Sequence, residues 1–511
     1  MEYLPPDFLA LVLQFAPRLG YAPNTSSFVT LVLGWVLCHG RRTLSGILRA
    51  AGPFATKSHD AYQNFFSKSH WKMDALRQAL FRLLVAAFGV GTTPIRLAGD
   101  DTLAKHRGPK IWGAGLYRDA VRSSRRHPAY AWGLNWVVLV MVVPVRLFNT
   151  EHLIALPILA RLNAKEARGD RTSSKKRKGC GARQKKTTVT LMAEMIQIVA
   201  QWLPEAQFLF CGDGAYACLA GGLPANVQLV SRMRCDAALY APGPKRRRKG
   251  QRGPTPRKGK RLPTPQRRAQ RLPKSSWRTA RLVLYGETVE RLVYDFTALW
   301  YDVRPDHPVR IVCVRDPNGK LDDEFFFSTD LSMTVKDILE CYGGRWSIEV
   351  VFRECKQYLG MNDPQARTQN AVLRMTPFCL WLNALVKYWF LCQSPQRQQA
   401  AIHIDPWYPH KTTISFQDML TALREHFWGS LFSTKSTSAR QFTHILPYYC
   451  QIPRKGGLKC AKLQLNELVY STRFRPTSPK LGTHLVSVLD NWPPALRPSG
   501  MVDSSPAGTA G

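Results

Sequence analysis

The stretch Tyr342-Gly343-Gly344-Arg345-Trp346-Ser347-Ile348-Glu349-Val350-Val351-Phe352-Arg353-Glu354-Cys355-Lys356 decides how the rest of the chain is read. On a helical wheel Arg345, Glu349, Phe352 and Lys356 fall on one stripe, at i, i+4, i+7 and i+11. Trp346, Val350 and Arg353 lie beside it, and Ile348, Val351 and Cys355 form an apolar face for packing. One acid flanked by two bases on a single stripe is a poor core face. It suits holding a metal ion against a phosphate, with the carboxylate on the metal and the cations on the phosphate oxygens. Arg345 and Glu349 are equally an ordinary i, i+4 pair of a solvated helix, in the less favourable order. Two further carboxylates in suitable settings are needed to separate these readings.

At 511 residues the chain is long enough for two to four domains, and 45% hydrophobic with 11% aromatic content indicates a folded protein. The net charge of +37 predicts a polyanionic partner. No basic amphipathic helix or acylation signal points to a membrane surface, so nucleic acid is the expected partner. Twelve cysteines show neither Cys-x-x-Cys nor zinc-ligand spacing. Several sit in apolar runs (Phe210-Cys211, Val312-Cys313, Phe378-Cys379) and read as buried thiols of a reducing cytoplasm. No signal peptide is evident at the N-terminus, and the longest apolar run, Trp136 to Val145, is interrupted by Pro144 and too short to span a bilayer.

Residues 1–90 read as a helical N-terminal domain, for DNA binding or dimerisation. Its segments run from Ser26 to Leu37, from a Thr43 cap to Ala50, from Ser58 to Phe66, and from Ala75 to Phe88. Ile95 to Thr102 reads as a short strand ending in Asp100 and Asp101. Trp136–Val143 and Val145–Leu156 read as two strands broken at Pro144, and Thr187 or Thr188 caps a helix through Trp202. Phe208 to Gly212 is a further strand running into Asp213, and Val227 to Arg234 continues as another. Each acid alone is compatible with a strand-end turn or an Asx cap.

Between Asp213 and Glu349 the chain is too long for a simple strand-to-helix connection. Residues 245–274 carry fourteen Lys/Arg, five prolines and no acid, and read as an extended or disordered linker, with Lys245, Arg246, Arg247 and Arg248 as candidate DNA contacts. Arg281–Trp300, Val309–Arg315 and Glu324–Ser328 read as strands, the last two a hairpin turning at Asp316-Pro317-Asn318-Gly319. Ser332 or Thr334 caps a helix to Cys341, and Ala366–Phe390 is a long apolar helix. The domain boundaries so read are 1–90, 91–235 (core, first part), 236–331 (basic linker and β-rich insertion domain), 332–395 (core, second part), 396–490 (C-terminal region) and 491–511 (disordered tail).

Tyr, two residues, Arg, three residues, Glu, six residues, Lys resembles the signature of bacterial insertion-sequence transposases, the DDE enzymes with a "YREK" motif. The strand–helix order likewise resembles an RNase H-like domain. The resemblance implies an α/β fold: an RNase H-like mixed sheet flanked by helices, with a β-rich insertion domain and the helical N-terminal domain. It places the first strand beside the fourth, so that Asp100 and Asp213 meet at the sheet edge. Asp100, Asp213 and Glu349 are then the catalytic and metal-binding residues, holding two Mg²⁺ ions (Mn²⁺ substituting) about 3.5–4 Å apart for two-metal phosphoryl transfer. The motif's acid, any residue, Thr favours Asp100 with Thr102. The parity of Ile95 and Leu97 with Asp101 leaves Asp101 open as the alternative.

Tyr342, Arg345 and Lys356 are implied phosphate contacts, and Trp277 or Trp300 could stabilise a flipped base at a hairpin intermediate. The implied function is a transposase that cuts the ends of an insertion sequence and joins them to target DNA. It would act on double-stranded DNA as a homodimer, in the bacterial cytoplasm at the nucleoid. An RNase H-like nuclease without strand transfer and a non-catalytic DNA-binding derivative are the competing readings.

Overall fold

The computed structural model describes residues 6–433 apart from 90–93, 120, 125, 149, 166–185, 245–254, 285–286 and 405. Contacts divide the chain into two compact units, Met1–Phe81 with Gly91–Thr437, and Arg82–Val90 with Ser438–Gly511. The second is described only at residues 82–89, the end of one helix; all other described elements belong to the first. Lys245 to Arg248, most of the region 396–490 and the whole tail lie outside the described residues.

Five helices lead the chain: α1 (Pro6–Leu13), α2 (Ala22–Leu37), α3 (Leu44–Ala51), α4 (His59–Ser67) and α5 (Met73–Phe88). The side chains of Thr43 and Ser58 accept from the amides of Gly46 and Ala61, as their positions before the apolar runs predict. Helix α2 starts at Ala22 rather than Ser26. Pro23 sits in its first turn, where a missing N–H costs nothing.

The sheet begins with β1 (Ile95–Lys105), β2 (Gly115–Arg118), β3 (Tyr130–Leu147) and β4 (Thr150–Leu162). Helix α6 (Thr188–Trp202), β5 (Phe208–Gly212) and β6 (Val227–Arg232) come next. β3 runs antiparallel to both β1 and β4; β5 runs parallel to β1, and β6 parallel to β5. The resulting order, β4-β3-β1-β5-β6, is the RNase H-like mixed sheet expected. Two details differ. The acids lie in the middle of β1, which continues to Lys105 because β3 pairs with it through Gly133. Pro144 does not break β3: the β1 ladder ends at Met141, so Pro144 pairs only with Leu153 of β4 and its other edge needs no donor.

The strands of the insertion add to this same sheet. β7 (Tyr240–Pro242) and β8 (Lys258–Arg261) form a small ribbon, succeeded by α7 (Pro265–Arg271), β9 (Arg278–Leu284), β10 (Glu287–Ala298), β11 (Val309–Arg315) and β12 (Glu324–Ser328). β12 pairs antiparallel with β6, Phe326 opposite Arg232 and Ser328 opposite Val230, and extends the order to β6-β12-β11-β10-β9. Its side chains share one core with the first half, where Leu282, Val293, Val312 and Phe326 pack with Leu209, Val230, Ile338 and Leu339. The described end of the basic linker is also ordered, contrary to its composition. Thr264 caps α7, Ala269 is buried, and the Arg268 guanidinium lies over the Phe296 ring at 4.1 Å.

The chain then forms α8 (Val335–Gly344), α9 (Ser347–Tyr358), α10 (Gln369–Leu391), α11 (Pro395–Ala400) and α12 (Phe416–Ser433). Helix α10 is apolar almost all round because the N-terminal helices close on it. Phe378 meets Phe28 edge-on at 5.9 Å, Trp381 meets Phe15 at 5.0 Å, and Trp35 donates to the Leu359 carbonyl at 2.9 Å. Arg424 of α12 donates to the last carbonyls of α2. Helices before and after the sheet in sequence thus share one hydrophobic interior. Among the described residues no helix is long and apolar enough to cross a membrane.

Candidate active site

β1 carries two acids in succession, and alternation sends them to opposite faces. The Gly99 side of the strand meets Met192 of α6. The other side meets α9: Thr102 accepts from Lys356 Nζ at 2.7 Å, and Asp100 accepts from Arg345 Nη1 at 2.8 Å. Asp100 therefore stands on the face toward Glu349. Asp101 faces α6, hydrogen-bonded to the buried Asn135.

Asp213 comes directly after β5. Gly212 is the parallel partner of Gly99, so Asp213 comes level with Asp100 on the neighbouring strand. Its carboxylate caps the 3-10 helix Gly214–Gly221 by accepting from Ala215, and its carbonyl accepts from Ser231 of β6. Glu349, in the first turn of α9, accepts from Arg345 Nη2 at 3.3 Å. Arg345 thus stands between two of the three expected acids.

Tyr342, Arg345, Glu349 and Lys356 do not share one unbroken helix. Tyr342 lies in the last turn of α8, Arg345 and Trp346 form the joint, and Glu349 and Lys356 ride on α9. Tyr342 packs at a tilt against Phe326, ring centres 4.6 Å apart, and lies under the Arg345 guanidinium.

The electrostatics derive from burial. Asp100 is pushed up to about 7, chiefly by desolvation. Arg345 opposes this, and the charges of Asp213 and Asp101 add to it. Asp101 is raised for the same first reason, with Asp213 again contributing. Burial, then Asp101, Asp100 and Asp213, raise the Tyr216 phenol, whose buried hydroxyl finds no hydrogen-bond partner among the described residues. Burial disfavours the charge on Arg345, but Asp100, Tyr342 and Glu349 hold it above its ordinary value. Lys356 is lowered by burial and by the cation of Lys105.

An oxygen-only set of carboxylates, two of them close enough for their charges to act on one another, fits a hard divalent cation. Among the described residues no three acidic, His or Cys side chains already surround a metal-sized position. Arg345 supplies the countercharge instead.

Sequence reasoning did not foresee the Arg345 bridge, Tyr216 or Asn135. Asn135 alone carries a signal, a polar residue inside the apolar run Leu134–Val143. Of the two tryptophans considered for base stacking, Trp300 is buried edge-on against Phe327, and Trp277 is covered by Arg315 at 4.2 Å.

Residues 14–285, more than half of the chain, match the family model described as DDE superfamily endonuclease. Residues 280–386 match that of the archaeal putative transposase ISC1217. The first segment contains Asp100 and Asp213, the second Tyr342 to Lys356. No curated protein matches the sequence. Among solved structures, the cryo-EM structure of a piggyBac transposase synaptic complex with hairpin DNA is similar at 9% identity. It covers 90% of this chain and 82% of that chain, with a TM-score of 0.37.

Proposed function

The chain belongs to the DDE superfamily endonucleases, and from that premise we propose that it is a transposase of the YREK-signature group, cutting the ends of an insertion sequence and joining them to target DNA. The observation that carries this reading is the pairing of β1 with β5. It sets Asp100 level with Asp213 on one face of the sheet, and Arg345 ties Asp100 to Glu349 across that face.

In this reading Asp100, Asp213 and Glu349 hold Mg²⁺, or Mn²⁺ in its place. When bound, the metal supplies Lewis-acid polarisation of the scissile phosphate and a more acidic water or 3′-hydroxyl. The protein's own contribution is positional. Burial holds the Asp100 carboxyl well above the usual carboxylate range, and Arg345 opposes that rise. Arg345, paired with carboxylates in the free protein, is placed to transfer one arm of its fork to a DNA phosphate. Lys356 is held by Thr102 as a second cation on the same line, and Tyr342 supports the Arg345 plane. Lys245 to Arg248 add a further phosphate contact. The protein works on double-stranded DNA as a homodimer bridging two ends, in the bacterial cytoplasm.

The test is incubation of the full chain with Mg²⁺ and duplexes carrying the inverted repeats that flank its gene. Joined products are expected. Cleavage without joining would reassign the protein as a nuclease, and a gel shift alone as a non-catalytic binder.

A further inference from the structure

The ribbon formed by β2 and the start of β3 has one packed face and one open face. On the packed face Tyr117 is buried, with Lys165 over its ring at 4.3 Å, and Asp119 is buried in an ion pair with Lys105 at 2.6 Å. The open face carries Leu116 opposite Trp132 and Arg118 opposite Tyr130. Tyr130 is 58% exposed and Trp132 39%, and Trp112 is exposed nearby on a loop fixed to Arg367 by a backbone hydrogen bond. Residues 103–132 contain seven Lys/Arg and a single acid, the buried Asp119.

Register connects this open face to the active site. Asp100 is opposite Val138 and Thr102 opposite Trp136, and alternate residues of β3 share a face, so Trp132 and Tyr130 lie on the same side of the sheet as Asp100. Trp132 is six residues from Val138 along the strand, about 20 Å at about 3.3 Å per residue.

Exposed rings two residues apart on one face of the ribbon, with Arg118 beside them and the segment's one acid, Asp119, on the other face, match the stacking platforms on which unpaired bases rest. Duplex DNA, with its bases stacked inward, cannot use them. We infer that the Tyr130–Trp132 face of the ribbon binds a single DNA strand leading away from the site of cutting. The inference rests on the DNA-cutting reading above and adds to it where, and in what form, the departing strand is held.

The test measures binding of the full chain to fluorescein-labelled oligo(dT) and to the corresponding duplex in EDTA, where no cleavage occurs. Tyr130→Ala/Trp132→Ala is expected to weaken oligo(dT) binding by about tenfold or more, with duplex binding changed less than about twofold. Trp132→Phe keeps the ring but loses the indole donor to the Gly108 carbonyl; it is expected to bind oligo(dT) like the wild type, separating stacking from loop anchoring. Unchanged oligo(dT) binding in the double variant, or equal losses on both substrates, would overturn the inference. A wild type that binds oligo(dT) through these rings but never cuts end DNA with Mg²⁺ would overturn the enzymatic reading and leave the surface standing.

Discussion

Arg345 and Asp100, far apart in sequence, are joined by a 2.8 Å hydrogen-bonded ion pair, and the same guanidinium reaches Glu349 at 3.3 Å. The site is thus held together by a cation the protein carries itself. Removing it in Arg345→Ala leaves two partly buried carboxylates facing each other. Without divalent ions the loss of stability is expected to be about 1–3 kcal/mol, below the figure for fully buried pairs because solvent reaches the site. Mg²⁺ should then raise the melting temperature of this variant more than that of the wild type. Equal shifts would mean that Arg345 and the metal do not share the same carboxylates.

The raised proton affinity of Asp100 fixes the sign of a pH effect. Its folded value, about 7, lies above the ordinary 3.8, so the folded state keeps a proton that the unfolded chain has already lost. The contribution to stability is present in acid and is lost as pH rises from about 4 through about 7. Asp100→Asn removes the titration. Its melting temperature relative to wild type should therefore rise between pH 5 and pH 8 in metal-free buffer. A difference independent of pH would show that Asp100 does not titrate in this window.

Much of this was legible in the sequence where the cause is local. The caps at Thr43 and Ser58, the choice of Thr187 or Thr188 and of Ser332 or Thr334, and the acid directly after the apolar strand Phe208–Gly212 need only neighbouring residues to be recognised. What escaped depended on distant pairing. Pro144 is tolerated in β3 because β1 ends before it, and the insertion joins the main sheet because Phe326 finds Arg232. Helix α7 was hidden by its arginines, since only Pro265 and Ala269 of the helix are buried. The Arg345 bridge was invisible because the motif itself offers Arg345 a nearer acid at i+4.

Glu349→Gln keeps the shape of α9 and an acceptor for Arg345 but removes the negative charge. Cutting of end DNA with Mg²⁺ is expected to fall below detection while gel-shift affinity stays within about threefold of wild type, since phosphate contacts supply most of the binding. Undiminished cleavage by this variant would remove Glu349 from the metal site.

Lys356 and Thr102 separate charge from positioning. Lys356→Ala should weaken binding to all DNA sequences alike and lower the salt slope by about 1, the signature of a single lost phosphate contact. Thr102→Val leaves the charge but frees the side chain, so the salt slope should persist while cleavage falls. If both variants change the slope equally, Thr102 does more than hold the lysine.

Gly99 tests the geometry that places Asp100. A Cβ there would lie 2.4 Å from Met192 Cε and 2.8 Å from Phe210 Cε2. Both neighbours are fully buried, and Phe210 is packed edge-on against Tyr216 at 6.3 Å, so neither has open space to enter. Gly99→Ala is expected to cost about 1–3 kcal/mol by overpacking, and to reduce cutting because any shift of β1 carries Asp100 with it. The thioether is the more yielding neighbour. In a Met192→Ala background the added methyl enters the space the thioether leaves, and its cost should shrink by about 1 kcal/mol or more in a double-mutant cycle. Equal costs in both backgrounds would mean that α6 does not press on β1 at Gly99, and that the face assigned to Asp101 is wrong.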